Sequence, residues 1–153
     1  MKLAEALILR ADYQKRMAQL QQRLIRSAQV QEGEQPPELP QELLTELEAI
    51  ATELTRLIQR INRTNSTTLF QNAPLANALA ERDVLRLRRS AYDSLINAAA
   101  MRQDRYMRSE LRLVSTVDVA ELQQQVDRMA RDYRELDAQI QAMNWATDLI
   151  EDE

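Results

Sequence analysis

The clearest structural signal of the chain lies in residues 118–150, DVAELQQQVDRMARDYRELDAQIQAMNWATDLI. Apolar side chains recur there every three or four positions, and only Thr147 interrupts the series. A seven-residue repeat of this length is typical of a helix that packs lengthwise against another helix, as in a coiled coil. Asp118 and Glu121 have the spacing of a capping box, so we expect the helix to begin directly after Asp118. The apolar series consists of Val119, Leu122, Val126, Met129, Tyr133, Leu136, Ile140, Met143 and Ile150.

Two further helices are predicted in the first part of the chain, over residues 3–29 and 40–63. Residues 32–38 separate them and contain the only glycine and two of the four prolines. Because both helices are amphipathic and the connection is short, they should form a long antiparallel hairpin. The first helix carries an apolar series at alternating spacings of four and three, formed by Leu9, Tyr13, Met17, Leu20, Leu24 and Ala28. The second helix carries an unbroken heptad series of Leu43, Leu47, Ile50, Leu54, Leu57 and Ile61.

The middle of the chain is less regular. Residues 62–68 are rich in Asn, Ser and Thr, whose side chains compete for backbone hydrogen bonds, and they should end the second helix. Pro74 then restarts a helix that continues to about Met101. Its apolar face includes Arg82 and Arg89, which need carboxylate partners if they are buried and otherwise lie at the solvent edge.

A short run at residues 111–117 alternates between apolar and polar side chains and contains β-branched residues, a pattern that is typical of a strand. A single strand needs a mate, and residues 67–71 are the only other candidate, in the same chain or in a neighbouring subunit. The sequence therefore leaves open a small two-stranded β-ribbon in a protein that is otherwise all-α.

The composition supports a single helical domain over residues 1–153. One glycine and four prolines allow few turns, and the abundant Ala, Leu, Gln, Glu and Arg all favour helices. The absence of cysteine and histidine excludes thiolate nucleophiles, disulfides and the commonest general base and metal ligands. We therefore expect no enzyme activity, no bound cofactor or metal, no membrane span and a cytoplasmic location. Leu44, Ile58 and Leu87 lie beside the main apolar series and suggest a homo-oligomer with a structural or partner-binding role.

Arginine is concentrated in the middle of the chain: residues 56–112 hold eleven arginines and five acidic residues. Guanidinium groups bind phosphates or carboxylates in a fixed, bidentate geometry. One hypothesis is that the segment 82–112 binds nucleic acid or another polyanion. The alternative, which we favour because the net charge is −4, is pairing with acidic segments such as residues 32–48 of the same or another subunit. The candidate anion-binding or partner-binding residues are Arg82, Arg86, Arg89, Arg102, Arg105 and Arg108.

A third hypothesis is an enzyme that uses Arg and Asp side chains, for example Arg82, Asp83, Arg102 and Asp104. It requires polar segments distant in sequence to converge on one pocket. The candidate polar cluster consists of Asn62, Arg63, Asn65, Asp83, Ser115 and Thr116. The single tryptophan, Trp145, lies one position off the last apolar series, and we interpret it as a packing residue, with a binding role as the alternative.

Several short motifs occur together and in a fixed order along nearly the whole chain. They are KLAEALILRAD at 2–12, INRTN at 61–65, ERDVLRLR at 81–88, RQDRY at 102–106, STVDV at 115–119 and NW at 144–145. In these motifs the chain resembles a bacterial family of unknown function that is sometimes labelled septicolysin-like. The label would imply a cytolysin, but the resemblance supplies no catalytic residues. Family members usually have a glycine-containing turn after the INRTN motif, whereas this chain has Asn72-Ala-Pro74.

Overall fold

The structure is a computed structural model that describes residues 1–101 and 112–151. Its helices are α1 (Leu3–Arg26), α2 (Pro40–Thr67), α3 (Leu75–Ala100) and α4 (Val119–Ala146), and its strands are β1 (Leu69–Phe70) and β2 (Ala73–Pro74). The predicted all-α fold with a small two-stranded ribbon is confirmed. The chain divides into two compact units, one formed by Met1–Leu75 with Ala142–Glu153 and the other by Ala76–Gln141.

The helical hairpin of α1 and α2 forms the core of the first unit. Leu20 from α1 and Leu43 and Ile50 from α2 are buried together. Half-buried side chains pack around them, so the predicted apolar series of the two helices do face each other. Pro40 occupies the first turn of α2, where its missing N–H leaves no helical hydrogen bond unmade. The half-buried side chains that pack around Leu20, Leu43 and Ile50 are those of Tyr13, Met17, Leu24 and Leu47.

Helix α2 is longer than the sequence suggested. The polar run from residue 62 was expected to end the helix, but α2 continues to Thr67. The hydroxyls of Thr64, Ser66 and Thr67 each donate to the carbonyl four residues earlier, over 2.8–2.9 Å. These side chains therefore bond within the helix and do not break its backbone hydrogen bonds.

The two-stranded ribbon is formed by other segments than the sequence predicted. β1 pairs antiparallel with β2, with Leu69 opposite Pro74 and Phe70 opposite Ala73. The expected partner strand was wrong, because residues 112–117 form no strand and Leu111 lies outside the described residues. Gln71 and Asn72 link the two strands with φ values of 51° and 65°, as in a type I′ turn.

Helix α4 begins as predicted. The backbone N–H of Glu121 donates to the Asp118 carboxylate at 3.1 Å, which satisfies one free N–H of the first turn. Val126, Met129 and Ile140 of the predicted series are buried. The helix ends at Ala146, however, so Ile150 follows the helix and is not part of it. Whether the helices wind around one another as a coiled coil stays a prediction.

Candidate functional site

The first residues of the chain contact the segment that follows α4, in the first unit. The backbone N–H of Leu3 donates to Thr147 O, and that of Leu149 donates to Met1 O, each at 2.9 Å. Between them, Lys2 and Asp148 form an isolated antiparallel bridge, and their side chains form an ion pair at 2.8 Å. The hydrogen bond from Lys2 lowers the pKa of the Asp148 carboxyl below its ordinary value.

The C-terminal segment also binds the last turns of α2. Thr64 is fully buried, and its hydroxyl accepts a hydrogen bond from the backbone N–H of Ile150 at 3.0 Å. Arg60 Nε donates to the Ile150 carbonyl at 3.1 Å, and its Nη2 pairs with Glu151. Sequence reasoning missed this role of Thr64, although the residue continues the spacing of Leu57 and Ile61 by three positions. That spacing was the signal that could have identified a buried position.

Three of the predicted arginines are paired with carboxylates of the same unit. Arg82 Nη1 donates to Asp137 of α4 at 3.0 Å, while Arg86 and Arg89 pair along α3 with Asp83 and Asp93 at 3.3 and 3.8 Å. The Arg82 side chain is only 20% exposed, so its charge requires a carboxylate partner within the protein. The Arg89 side chain is 48% exposed and lies at the solvent edge. The partners are therefore local, not the acidic residues 32–48. The remaining candidates, Arg102, Arg105 and Arg108, lie outside the described residues.

The candidate polar cluster is distributed over both compact units. Asn62, Arg63 and Asn65 belong to the last turns of α2 in the first unit. Asp83 lies on α3, and Ser115 and Thr116 precede α4, in the second unit. The Ser115 hydroxyl is occupied locally, since it donates to Val117 O at 2.7 Å and accepts from Val117 N at 3.2 Å. Asp104, proposed with this cluster, lies outside the described residues.

A charged cleft of about 360 Å³ lies at the end of the hairpin where the connecting loop joins α1 to α2. Arg23 of α1 binds Glu38 in a bidentate manner, with Nε 2.9 Å from Oε2 and Nη2 bonded to Oε1. This hydrogen bonding lowers the pKa of Glu38 and raises that of Arg23. Glu42 and Glu46 complete the acidic side of the cleft. Here an arginine does pair with the acidic segment 32–48, though it is not one of the candidate arginines.

A second cleft, of about 270 Å³, lies in the second unit between α3 and α4. Val84 and Leu85 form its apolar part, and Glu81, Arg88 and Asp132 supply charged groups. Across residues 1–101 and 112–151, no three Asp, Glu, His or Cys side chains come together as metal ligands. Within the same residues, no helix combines the length and the apolarity that a bilayer crossing needs.

Apolar side chains remain exposed on several helices. The largest exposed fractions on α3 are those of Leu87 at 68% and Val84 at 52%, and Leu95 is 44% exposed. Trp145 is 55% exposed, so its interpretation as a packing residue was wrong, and the neighbouring Asn144 is the buried one. Large exposed side chains of this kind are typical of protein–protein interaction surfaces.

These features define a helical-bundle protein whose described surface offers charged clefts and exposed apolar helix faces. The chain belongs to a family of unknown function, DUF6847, whose model matches residues 10–149. It is also similar to a solved structure, a functionally unknown conserved protein from Corynebacterium diphtheriae, with 47% sequence identity and a TM-score of 0.91. That similarity covers 98% of this chain and 99% of the other. No functionally curated protein matches the chain. The resemblance to a family of unknown function is thereby confirmed, and neither match carries the septicolysin-like label.

Proposed function

We propose that the protein is a homo-oligomeric helical protein with a structural or partner-binding role, and not an enzyme. One observation carries this proposal: large apolar side chains stay exposed on one copy of the chain, among them Leu87 at 68%. Single exposed leucines are common on protein surfaces. Here they recur along helices, as with Val84, Leu87 and Leu95 on α3, and a recurring apolar face is a surface that association would cover.

The pairing of the described arginines supports this proposal over polyanion binding. Arg82, Arg86 and Arg89 each have a carboxylate within 3.8 Å, which already satisfies much of their charge. A polyanion would have to displace those carboxylates, and the chain as a whole carries a net charge of −4. The enzyme hypothesis has less support still, because Ser115 is hydrogen-bonded to its own loop. We also propose that the protein is located in the cytoplasm.

The test is the mass of the protein in solution, measured by light scattering at two concentrations that differ about a hundredfold. We expect a multiple of the chain mass of 17.7 kDa, with any dissociation appearing at the lower concentration. Association through apolar faces should persist in 1 M salt, whereas association through surface ion pairs should weaken there. A mass of 17.7 kDa at both concentrations would contradict the proposal.

Binding of a polyanion is measured on the same preparation with a fluorescent single-stranded oligonucleotide. Our proposal expects no binding at physiological salt. Binding that falls steeply as salt is added would instead support the polyanion hypothesis, because such binding releases counterions.

A further inference from the structure

Helix α3 has apolar side chains on two separate faces. One face, which includes Ala78, Leu85, Tyr92 and Ile96, is buried or half-buried in the second unit. The other, here called the outer face, falls within an arc of about 80° at 3.6 residues per turn. All of its residues are exposed. The outer face consists of Ala80, Val84, Leu87, Ala91, Leu95 and Ala98.

We propose that a second copy of this chain packs antiparallel on the outer face of α3, across a two-fold axis that lies midway between the levels of residues 85 and 86 along the helix. This inference rests on the proposed homo-oligomeric function and names the surface that forms the contact. In this arrangement, Val84 lies opposite the partner's Leu87, and Ala80 lies opposite the partner's Ala91. A two-fold axis makes both contacts occur twice, as is usual for dimers of identical chains.

The charges beside the outer face favour the antiparallel arrangement. Glu81 and Arg88 flank the same edge of the face, seven residues apart and about 10.5 Å along the helix axis, which is too far for an ion pair within α3. Neither forms an ion pair with other residues of the described parts of the chain. Antiparallel packing places Glu81 of each copy beside the partner's Arg88, whereas parallel two-fold packing would put the charged edges of the two copies on opposite sides of the contact, where these side chains cannot pair.

The shape of the surface agrees with this arrangement. The cleft between α3 and α4 borders the outer face at Val84, so it can receive the partner's Leu87. Its charged groups are Glu81, Asp132 and Arg88, which together leave one excess negative charge. The partner's Arg88 would therefore approach a surface of opposite sign. Ala80 lies opposite the partner's Ala91 in this register, and these small side chains allow the two helices to approach closely at that level.

Charge exchange tests the arrangement directly. Glu81→Arg or Arg88→Glu alone places like charges at both contacts, so each should raise the dimer dissociation constant about tenfold. The double variant restores both pairs with reversed polarity and should recover the affinity of the unmodified chain. Parallel two-fold packing cannot give this loss and recovery, because positions 81 and 88 of the two copies would lie on opposite sides of the contact. Sedimentation velocity measures the constants, and circular dichroism checks that each variant keeps its helices.

Leu87→Glu tests the apolar contact, and Ile25→Glu on α1 is the matched control, since both side chains are highly exposed in one copy. We expect Leu87→Glu alone to abolish the dimer. If the unmodified chain is oligomeric and Leu87→Glu leaves its mass unchanged, this inference is overturned while the proposed function stands. If the unmodified chain has the mass of one copy, both are overturned.

The absence of cysteine from the chain permits a second test that does not depend on charge. Chains with Val84→Cys and chains with Leu87→Cys are mixed and oxidised. Antiparallel packing predicts that the mixed disulfide forms faster than either self-linked product, because residue 84 lies opposite residue 87. Preferential linkage of 84 to 84 and of 87 to 87 would overturn the antiparallel arrangement.

Discussion

The hydroxyl of Thr64 accepts a hydrogen bond from the backbone N–H of Ile150 at 3.0 Å, although the two residues are 86 positions apart. The same hydroxyl donates to the carbonyl of Arg60 in the preceding helical turn. Thr64 therefore both completes the end of α2 and holds the C-terminal segment on it. Because the site is fully buried, no water can replace the lost partner if the hydroxyl is removed.

We expect Thr64→Val to lower the free energy of unfolding by about 1–3 kcal/mol, since it preserves side-chain shape but leaves the Ile150 N–H without a partner. Thr55→Val is the matched control, because the Thr55 hydroxyl makes the same bond to the carbonyl four residues earlier but is exposed. Its effect should stay within about 0.5 kcal/mol. Urea unfolding measures both, and equal losses would show that the bond to Ile150 contributes nothing.

The helices were predictable because their apolar residues repeat with a helical period that only packing against another helix satisfies. Leu20, Leu43 and Ile50 all lie on predicted series and are buried together. Thr64 continues the spacing of Leu57 and Ile61, which marks a buried position, but its polar neighbours resemble a helix end and mask that signal. The hydrogen bond that buries it comes from Ile150, and no local pattern indicates so distant a contact.

The candidate site was less predictable than the fold, because charges along a helix do not reveal which partner they will meet. Arg82 and Arg89 lie on the same face, yet one pairs across to Asp137 and the other with Asp93 in its own helix. Composition favoured pairing over anion binding and gave residues 32–48 as an example of the acidic partners, whereas the carboxylates that meet the described candidate arginines within the chain are those of Asp83, Asp93 and Asp137. The exposure of Trp145 follows from the helix geometry that turns Asn144 inward. The sequence places Trp145 one position off the apolar series, but it does not reveal whether neighbouring residues cover the indole.

The hairpin core gives the largest expected loss of stability. Leu20→Ala should lower the free energy of unfolding by about 2–5 kcal/mol, because it removes buried contacts with Leu43 and Ile50 and leaves a cavity. Ile25→Ala on the same helix is the control, since Ile25 is exposed, and its effect should be within about 0.5 kcal/mol. A large loss from Ile25→Ala would instead reveal that a partner covers this position.

In the type I′ turn between β1 and β2, two different substitutions of Asn72 should affect stability differently. Asn72 has a φ of 65°, which asparagine tolerates and glycine adopts freely. Asn72→Val should cost about 1–2 kcal/mol, because a β-branched side chain fits this conformation poorly. Asn72→Gly should be neutral or slightly stabilising. Thermal unfolding followed by circular dichroism compares the two, and equal melting temperatures would contradict the turn assignment.

The bidentate bond between Arg23 and Glu38 predicts how stability changes in acid. The bond lowers the pKa of Glu38 below its ordinary value of 4.5, so its contribution to stability is complete above pH 4.5 and is lost as the pH falls through the lowered pKa. Arg23→Gln should return the Glu38 pKa toward 4.5, as measured by NMR titration of the side-chain carboxyl, and should reduce the loss of stability in acid. Arg16→Gln removes the same charge from α1 without touching this pair and should leave the Glu38 pKa unchanged. If the two variants shift that pKa equally, the effect comes from net charge, and the direct bond is not its cause.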